Sequence, residues 1–505
     1  MMNELKVMKP YIGGQWIDSE STKFNTIYDP STGKPIAQVP QCTATEVENA
    51  IAAAKAAYPA WRDTPVRNRA NIMMKLRNLL ERDKEELTMM VATENGKCWS
   101  EAAGDVAKAL EMTELACSAP SLLMGESLMD TSAGYDTTLY REPLGVFAGI
   151  APWNFPAMIP VGWMAPLAIV CGNTFVLKPA STTPMTCMKI AELYKEAGIP
   201  DGVFNIVPCS RNEAEILLTH PDVRGITFVG STEVGLHVYS TAAAHGKRVQ
   251  ALCEAKNHAL VLKDAPITRT AAGIMNSAFG CAGERCMALP AVVVEEEIAD
   301  ALVAELVRLC KEQKVGPAYD KTSNLGPVGS KGHQKFVLDW IEKGIEEGAQ
   351  LVLDGRNVKV EGYEDGYYIG HTIFDHVTED MTIGNREVFG PVLCIKRVKS
   401  FEEGLALMNR NPFANGSVIF TQNGYYAREF AKRTDGGMVG VNVGIPVPIG
   451  VFPFCGHKRS FFGDLHCHGK DAFRFYTESK CVTMRWFDEE EMKKEKVDTW
   501  DGSAL

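Results

Sequence analysis

The chain has 505 residues, of which 46% are apolar and 23% are charged, and its formal net charge is −11. These values are typical of a globular enzyme with two or three domains, and they exclude disordered and fibrous classes. The acidic balance and the absence of long Lys/Arg blocks argue against a nucleic-acid-binding surface.

The cysteines and the apolar segments indicate the cellular compartment in which the protein is expected. Fourteen cysteines are scattered without a C-x-x-C pair, which predicts free thiols in a reducing compartment. The N-terminal residues lack a signal-peptide pattern, and the longest apolar stretch, residues 157–171, is broken by Pro160, Gly162 and Pro166 and is too short to span a bilayer. We therefore expect a cytoplasmic protein without a membrane span.

The first half of the chain predicts an α/β fold. Thr43 and Glu46 have the spacing of a capping box that opens a helix, and residues 65–93 have the pattern of one long amphipathic helix. Helix-like segments then separate five apolar runs at residues 144–150, 174–178, 203–207, 225–229 and 247–253. Such alternation predicts a doubly wound parallel sheet that binds ligands at the carboxyl ends of its strands.

The second half predicts a separate α/β unit and a site of oligomerisation. This unit begins after residue 255, carries Cys286 on an Ala/Gly-rich turn, and ends near residues 440–456. Residues 138–142 and 473–484 alternate like strands but have no local partner. Unpaired strands of this kind often pair across subunits, so we expect a homo-oligomer, either a dimer or a tetramer.

Cys286, at the end of F-G-C-A-G-E-R-C (residues 279–286), is the candidate nucleophile. Small residues before it let the backbone approach a substrate closely, and the neighbouring Arg285 is expected to favour the thiolate. Asn154 follows a predicted strand within A-P-W-N-F-P (residues 151–156). Its side-chain amide and the backbone N–H of Cys286 would together hold the oxyanion that forms when sulfur attacks a carbonyl.

Two motifs indicate a dinucleotide site although G-x-G-x-x-G is absent. In F-V-G-S-T-E-V-G (residues 228–235) a strand runs into a turn with Gly230 before a helix, whose N-terminal amides would meet a pyrophosphate. In V-L-K-P-A-S (residues 176–181) Lys178 ends the neighbouring strand, within reach of a ribose. Each motif alone is weak, but together they favour nucleotide binding.

Five ordered motifs make the chain resemble the aldehyde dehydrogenase superfamily over nearly its whole length: P-W-N-F-P (152–156), L-K-P (177–179), F-V-G-S-T (228–232), A-G-E-R-C (282–286) and N-R-E-V-F-G-P (385–391). The resemblance implies three parts: a Rossmann-type NAD domain (residues 1–122 and 143–254), an α/β catalytic domain (255–456) and small oligomerisation strands (123–142 and 470–487).

The resemblance also implies how NAD lies. The cofactor would lie over Lys178, Gly230 and Ser231, with Ser181 near the adenosine ribose and Cys253 facing the nicotinamide. Glu387 would hold the nicotinamide ribose and Phe389 would pack against the ring. The remaining implied neighbours of the cofactor are Pro152, Trp153 and Phe155. Ser181 replaces a frequent Glu that would repel a 2′-phosphate, so NADP stays an alternative to NAD.

Within the superfamily, G-E-R-C-M-A, A-K-N-H (255–258) and G-D-V (104–106) are most similar to the methylmalonate/malonate-semialdehyde dehydrogenases, which transfer the acyl group to coenzyme A. Many hydrolytic members carry E-L-G-G-K, whose Glu activates water, whereas this chain has L-C-E-A-K with Leu252 at that position. A thiol is more acidic and more nucleophilic than water, so attack by coenzyme A depends less on an enzymic base.

Alternatives stay open for the residue that acts as catalytic base and for the residues that bind the substrate. Glu254 shares a strand face with Leu252 and would serve as a displaced base, which would make the enzyme a hydrolytic dehydrogenase that releases a free acid. The resemblance implies that two cations bind the carboxylate of a small anionic aldehyde, and these are Arg285 and Lys108. Lys108 stands where an Arg is usual and lacks the bidentate fork. A third alternative is a catalytically silent dinucleotide-binding relative.

A metal site is not expected. His466 and His468 in L-H-C-H-G are two residues apart and, with Cys467, form an incomplete ligand set, so we interpret them as packing residues of a loop.

Overall fold

Two large open β-sheets carry most of the chain in the structure, which is a computed structural model that describes residues 5–494. The first sheet is built mainly from residues before 253 and the second from residues 258–441. A third, three-stranded sheet combines residues 126–143 with residues 477–485.

The described α-helices are, in chain order, α1 (Ala44–Arg62), α2 (Val66–Arg82), α3 (Lys84–Asn95), α4 (Trp99–Cys117), α5 (Ala119–Leu122), α6 (Ala165–Val170), α7 (Met185–Ala197), α8 (Arg211–Thr219), α9 (Thr232–Ala244), α10 (Ile267–Phe279), α11 (Glu296–Lys311), α12 (Lys331–Glu346), α13 (Phe401–Asn409), α14 (Gly424–Arg433) and α15 (Gly469–Phe475).

The described strands are β1 (Lys6–Val7), β2 (Tyr11–Ile12), β3 (Gln15–Trp16), β4 (Phe24–Asp29), β5 (Lys34–Pro40), β6 (Glu126–Ser132), β7 (Tyr135–Pro143), β8 (Val146–Ile150), β9 (Thr174–Lys178), β10 (Phe204–Ile206), β11 (Val223–Val229), β12 (Arg248–Leu252), β13 (His258–Val261), β14 (Ala291–Glu295), β15 (Gln350–Leu353), β16 (Thr372–Asp375), β17 (Val392–Val398), β18 (Phe413–Ala414), β19 (Gly416–Phe420), β20 (Met438–Val441), β21 (His457–Lys458), β22 (Phe461–Phe462) and β23 (Thr477–Arg485).

The first sheet confirms the predicted doubly wound arrangement. Its strand order is β22-β12-β11-β8-β9-β10-β2-β3, and the five strands from β12 to β10 are parallel. Among these five parallel strands, the first in the chain is β8, in the middle of the sheet. The next two, β9 and β10, lie on one side of it, and β11 and β12 lie on the other side. The order therefore reverses between β8 and β11, and a crevice for ligands opens outside the carboxyl ends of these two strands.

The second sheet presents its opposite end to that crevice. Its order is β15-β16-β17-β14-β13-β19-β20, and every pair except β15–β16 is parallel. The loops that precede β13, β14, β17 and β19 carry Asn257, Cys286, Glu387 and Asn415, respectively. The amino ends of these strands thus gather the polar residues that face the first sheet.

The helical region before the first sheet agrees in part with the prediction. The capping box is present, because the Thr43 hydroxyl accepts from the Glu46 N–H at 3.3 Å and the Glu46 carboxylate accepts from the Thr43 N–H at 2.7 Å. The single helix expected over residues 65–93 is wrong, because Asp83 leaves helical geometry and separates α2 from α3. Both helices pack on α4, and the break lets the second one turn to do so.

Residues 138–142 and 473–484, for which the sequence shows no local partner, pair with each other across the chain. Strand β7 pairs antiparallel with β23 over its whole length, from Thr477 opposite Pro143 to Arg485 opposite Tyr135, and β6 covers its other edge. Residues 473–475 belong to helix α15 and not to the strand. The sequence separation of more than 300 residues hid this pairing from local patterns.

Two global expectations concern thiols and membranes. All fourteen cysteines lie within the described residues and are free thiols, as predicted. Within residues 5–494, none of the helices combines the length and the apolar character that crossing a bilayer requires.

Candidate active site

Cys286 lies on the loop that joins α10 to β14, and this loop has an unusual backbone. Cys281 and Ala282 have φ angles of +52° and +53°, values that non-glycine residues seldom adopt, and Gly283 follows at +74°. A Cβ on Gly283 would lie 2.1 Å from the carbonyl oxygen of Gly390. Glycine at 283 therefore allows the nucleophile loop to pack directly against the loop that carries Glu387.

Two asparagine side chains hold the main chain at the nucleophile. Asn257 donates to the carbonyl of Cys286 at 2.9 Å and to that of Ala288 at 2.8 Å, and it accepts from the N–H of Gly416 at 2.7 Å. Asn415 donates to the same Cys286 carbonyl at 3.2 Å. The A-K-N-H motif marked only a family resemblance in the sequence, but here its asparagine fixes the position of the candidate nucleophile.

Asn154 bridges the two sheets at the nucleophile loop. It follows β8 in the first sheet, is 4% exposed, and donates from Nδ2 to the carbonyl of Glu284 at 2.9 Å. Glu284 is two residues before Cys286, so the fold brings together the two side chains that the sequence selected for thiol attack and oxyanion binding. The assignment of these roles belongs to the proposal below.

A buried lysine holds the segment that carries Asn154. Lys97 donates to the Asn154 carbonyl at 2.5 Å, pairs with Asp105 at 3.2 Å, and lies 3.8 Å from the centre of the Phe155 ring. Asp105 in turn accepts from the N–H of Met158 at 2.6 Å. Phe155, expected beside NAD, thus packs on an ammonium group, and Lys97 is a site residue that no sequence pattern indicated.

The Cys286 thiol is neutral in this environment, contrary to the expectation that Arg285 would favour the thiolate. Burial and, to a lesser extent, the carboxyl group of Glu387 raise the pKa of Cys286 to about 12, and Arg285 only partly opposes these two effects. The cation next to the nucleophile therefore does not suffice to ionise it.

Glu387 lies between the nucleophile and the end of β12. Burial raises its pKa to about 8, and the carboxylate of Glu254 adds to this effect. Its Oε1 accepts from the N–H of Ala255 at 3.2 Å, a bond that opposes the rise. Leu252, the residue at the position of the hydrolytic base, is buried in β12.

The candidate nucleotide residues lie along the crevice at the switch point. Pro152 and Trp153 follow β8, Gly230 and Ser231 follow β11, and Lys178 ends β9 with its pKa lowered by burial. Ser231 is exposed at the start of the 13-residue helix α9, and its side chain makes no capping bond. Free backbone N–H groups at such a helix end fit a pyrophosphate.

The two remaining cofactor candidates lie apart along the same crevice. Ser181 is half-buried beyond β9, in the loop that precedes α7. Cys253 follows β12 and is buried against α9, where a Cβ on Gly235 would lie 2.2 Å from its sulfur. This close approach explains a glycine in the first turn of α9.

An aromatic wall closes the crevice on the side of the second sheet. The ring of Trp153 meets those of Phe389 and His333 edge-on, with centroids 5.6 Å and 5.4 Å away. The Nε2 of His333 donates to the Phe389 carbonyl at 2.7 Å and lies 3.6 Å from the carboxyl group of Glu284. Burial raises the pKa of Glu284 well above its usual range. Sequence reasoning missed His333 and the side chain of Glu284.

The two expected substrate cations each have a carboxylate partner from α4. Arg285 pairs with Glu101, while Lys108 donates to both carboxylate oxygens of Glu111 at 2.8 and 2.9 Å and to the carbonyl of Pro448 at 3.3 Å. Each of the two cations is therefore already paired with a carboxylate of the chain.

The two histidines of L-H-C-H-G do not converge. His468 is fully buried, with its ring edge-on to Trp163 at 4.3 Å, whereas His466 stacks on Phe461 and bonds to the Gly456 carbonyl at 3.0 Å. Each histidine therefore packs in a different part of its loop.

Comparison with known proteins identifies this architecture. The family model described as the aldehyde dehydrogenase family matches residues 16–482. The chain belongs to this family. It is 49% identical to malonate-semialdehyde dehydrogenase 2 of Geobacillus kaustophilus over 96% of this chain and 100% of the relative. It is 48% identical to malonate-semialdehyde dehydrogenase 1 of Oceanobacillus iheyensis over 96% of this chain and 99% of that relative.

Solved structures agree with the sequence relatives. The methylmalonate-semialdehyde dehydrogenase of Oceanimonas doudoroffii superposes with a TM-score of 0.95 at 41% identity, covering 97% of this aldehyde dehydrogenase and all of that chain. A Sinorhizobium meliloti protein, crystallised with NAD and described as a methylmalonate-semialdehyde dehydrogenase, gives 0.95 at 40% identity, over 96% and 99% of the two chains. The predicted family, fold class and enzyme type are confirmed.

The raised pKa of Cys286 predicts the pH dependence of its alkylation in the free enzyme. Because the thiolate is the nucleophile, the rate with iodoacetamide should rise by up to about tenfold per pH unit from pH 7 to pH 10, without a plateau. Glu387→Gln should react faster than the wild type above about pH 8, where Glu387 itself ionises. Peptide mass spectrometry of the Cys286 peptide measures both rates, and a plateau near pH 8 would contradict a neutral resting thiol.

The hydrogen bonds of Asn257 predict a loss of turnover when they are removed. Asn257→Ala should lower kcat by roughly 10- to 100-fold, because small displacements of a reacting group cost rates of this order. Asn415→Ala, which removes a longer hydrogen bond to the same carbonyl, is the matched comparison and should lower kcat by a smaller factor. Steady-state kinetics with thermal unfolding as a control checks this. An unchanged kcat in Asn257→Ala would mean that the loop is held elsewhere.

Proposed function

We propose that this aldehyde dehydrogenase oxidises malonate semialdehyde or methylmalonate semialdehyde with NAD and transfers the acyl group to coenzyme A. The observation that carries the proposal is near-full-length identity of 46–49% to proteins named malonate-semialdehyde dehydrogenases. Leu252, in place of the carboxylate of hydrolytic relatives, supports coenzyme A as the acceptor.

The residues around Cys286 divide the chemistry between them. The Cys286 thiol loses its proton to solvent as the sulfur adds to the aldehyde carbon, and the amide of Asn154 and the backbone N–H of Cys286 stabilise the oxygen anion of the hemithioacetal. Loss of hydride from that carbon leaves a thioester on Cys286. The thiol of coenzyme A then attacks the thioester carbonyl, and Cys286 departs and regains a proton.

The carboxylate of the substrate accounts for the final products. Loss of carbon dioxide from the β-carboxylate would give acetyl-CoA from malonate semialdehyde and propionyl-CoA from its methyl homologue. We assign binding of this carboxylate to Arg285 and Lys108, because both cations lie beside the nucleophile loop or on the neighbouring helix α4.

When bound, NAD accepts the hydride. The crevice between β8 and β11 fits the dinucleotide, since the N-terminus of α9 would meet the pyrophosphate and Lys178 lies at the end of the neighbouring strand. Glu387 and Phe389 would contact the nicotinamide ribose and ring. A Sinorhizobium meliloti relative crystallised with NAD supports NAD as the nucleotide, and Ser181 keeps NADP as the alternative.

Hydrolysis is the competing function, and the pair Glu254–Glu387 favours it. The charge of Glu254 contributes to the raised pKa of Glu387, which places a second carboxylate near this site, so Glu254 would activate water in place of the missing residue at 252. In that case, the product would be a free acid and coenzyme A would be dispensable.

We also propose a homo-oligomer in a reducing, cytoplasmic setting. The β6 strand leaves the outer edge of the third sheet open and exposes Leu128 and Met129, while Met124 lies exposed just before it. Exposed apolar residues on an open edge favour association with a second copy. Fourteen free thiols in the described chain fit a reducing compartment.

The acyl acceptor is tested by following NADH with malonate semialdehyde in the presence and absence of coenzyme A. We expect sustained turnover only with coenzyme A, and a burst of at most one NADH per active site without it, because the thioester then accumulates. Full turnover without coenzyme A would establish the hydrolytic alternative. Glu254→Gln is the matched control and should leave the coenzyme A-dependent rate within about twofold of the wild type.

The substrate class is tested with a panel of acidic and neutral aldehydes, each assayed with NAD and with NADP. We expect kcat/KM for malonate and methylmalonate semialdehyde to exceed that for propanal by roughly 10- to 100-fold, since one charge-assisted pair contributes this much. Arg285→Leu should remove most of this preference. Better activity with propanal than with the acids would contradict the roles of both cations.

A further inference from the structure

Helix α4 places carboxylates against the cations that we assign to substrate recognition. Glu101 lies in its first turn against Arg285, and Glu111 lies further along against Lys108. The side chains of Arg285 and Glu101 are only 13% and 21% exposed. In the free enzyme, the charge of each cation is therefore balanced within the chain.

Each of the three nitrogens of the Arg285 guanidinium makes a contact within the chain. One terminal nitrogen pairs with Glu101, Nε donates to the sulfur of Cys281 at 3.3 Å, and the other terminal nitrogen makes a long contact of 3.5 Å with the Asn276 carbonyl. The Cys281 thiol donates to the same Glu101 carboxylate at 3.2 Å, which closes a three-membered cluster. An incoming carboxylate therefore meets a guanidinium that is already bonded to Glu101.

The left-handed backbone at Cys281 gives this cluster its shape. A φ of +52° at residue 281 belongs to the strained part of the loop that ends at Cys286. The thiol of Cys281 meets both Arg285 and Glu101, so the cluster ties the nucleophile loop to α4. Any anion that enters at Arg285 therefore has to rearrange a contact next to the reacting sulfur.

Glu101 is charged in this cluster. Burial by itself raises the pKa of a carboxyl group, but the charge of Arg285 and its hydrogen bond outweigh burial at Glu101, and the net pKa lies below its usual value. An ionised Glu101 and the substrate carboxylate thus carry the same charge and seek the same guanidinium.

We propose that Glu101 is a specificity-determining residue that competes with the substrate carboxylate for Arg285. This inference rests on the proposed function, in which Arg285 binds an anionic aldehyde. An acidic aldehyde has to share Arg285 with Glu101 or displace it, whereas a neutral aldehyde leaves the pair intact. Glu101 therefore weakens the binding of acids selectively and limits how tightly acidic substrates and acyl groups are held.

The test compares Glu101→Gln with the wild type at saturating NAD and coenzyme A, using malonate semialdehyde and propanal. The amide keeps the size of the side chain but not its charge, so we expect KM for the acid to fall by roughly fivefold to 20-fold. KM for propanal should change by less than about twofold, because no charge in propanal meets Arg285. A KM for the acid that rises or stays constant overturns the proposal, since Glu101 would then orient Arg285.

Glu114→Gln is the matched control for charge. Glu114 lies on the same helix but is exposed and pairs with Arg77 at 2.9 Å, so this variant changes the net charge equally at a distance from the cluster. It should leave KM for the acid unchanged. An equal fall in KM for Glu114→Gln and Glu101→Gln would mean that overall charge controls acid binding, which also overturns the proposal.

Inhibition by a non-reacting anion measures binding separately from turnover. Malonate should inhibit propanal oxidation competitively, and its inhibition constant should fall in Glu101→Gln by the same factor as KM for the acid. Thermal unfolding reports the fold. Should Glu101→Gln not fold, Glu101→Asp replaces it, because the shorter acid retreats from Arg285 and should lower both constants in the same direction.

The double variant Glu101→Gln/Arg285→Leu distinguishes failure of this inference from failure of the proposed function. If Arg285→Leu alone does not raise KM for the acid, Arg285 is no anion site and the proposed recognition fails. If Arg285→Leu raises KM but Glu101→Gln does not lower it, only the role of Glu101 fails. When both hold, the gain from Glu101→Gln should vanish in the double variant.

Discussion

The hydrogen bond from Asn154 to the carbonyl of Glu284 joins the two sheets at the reacting sulfur, and the geometry of the site depends on it. The first sheet contributes the carboxyl ends of its strands and the second contributes the amino ends. A nucleophile on one sheet and an amide donor on the other act together only in a fixed relative position. Lys97 holds the Asn154 backbone and Asn257 holds that of Cys286, so both sides of the bond are fixed.

The carboxyl groups around Cys286 differ in their protonation because their neighbours differ. Glu101 stays ionised beside Arg285, burial outweighs the opposing charge of Lys97 at Glu284 and favours its neutral form, and burial with the charge of Glu254 brings the pKa of Glu387 to about 8. None of them stabilises a thiolate, so burial leaves Cys286 as a thiol at rest. A protonated thiol is less readily oxidised than a thiolate, which protects the nucleophile between turnovers.

The sequence predicts those features that depend on local patterns. Five apolar runs predicted the parallel sheet, and the motifs around Asn154 and Cys286 selected two residues that the fold brings together. Lys97 and Asn257 escaped prediction because their partners lie 57 and 29 residues away and a lone polar residue carries no periodicity. The neutral thiol escaped it too, since an adjacent arginine is visible in the sequence but burial and the Arg285–Glu101 pair are not.

The Arg285–Glu101 pair also affects how readily the acyl group leaves Cys286. The thioester persists until coenzyme A attacks only if no base activates water, and buried Leu252 provides no such base. The acyl group on Cys286 still carries its carboxylate until carbon dioxide is lost. A cation held entirely free for that carboxylate would bind the acyl group tightly and slow its departure. An Arg285 already shared with Glu101 favours recognition that is strong enough to select an acid and weak enough to release its product.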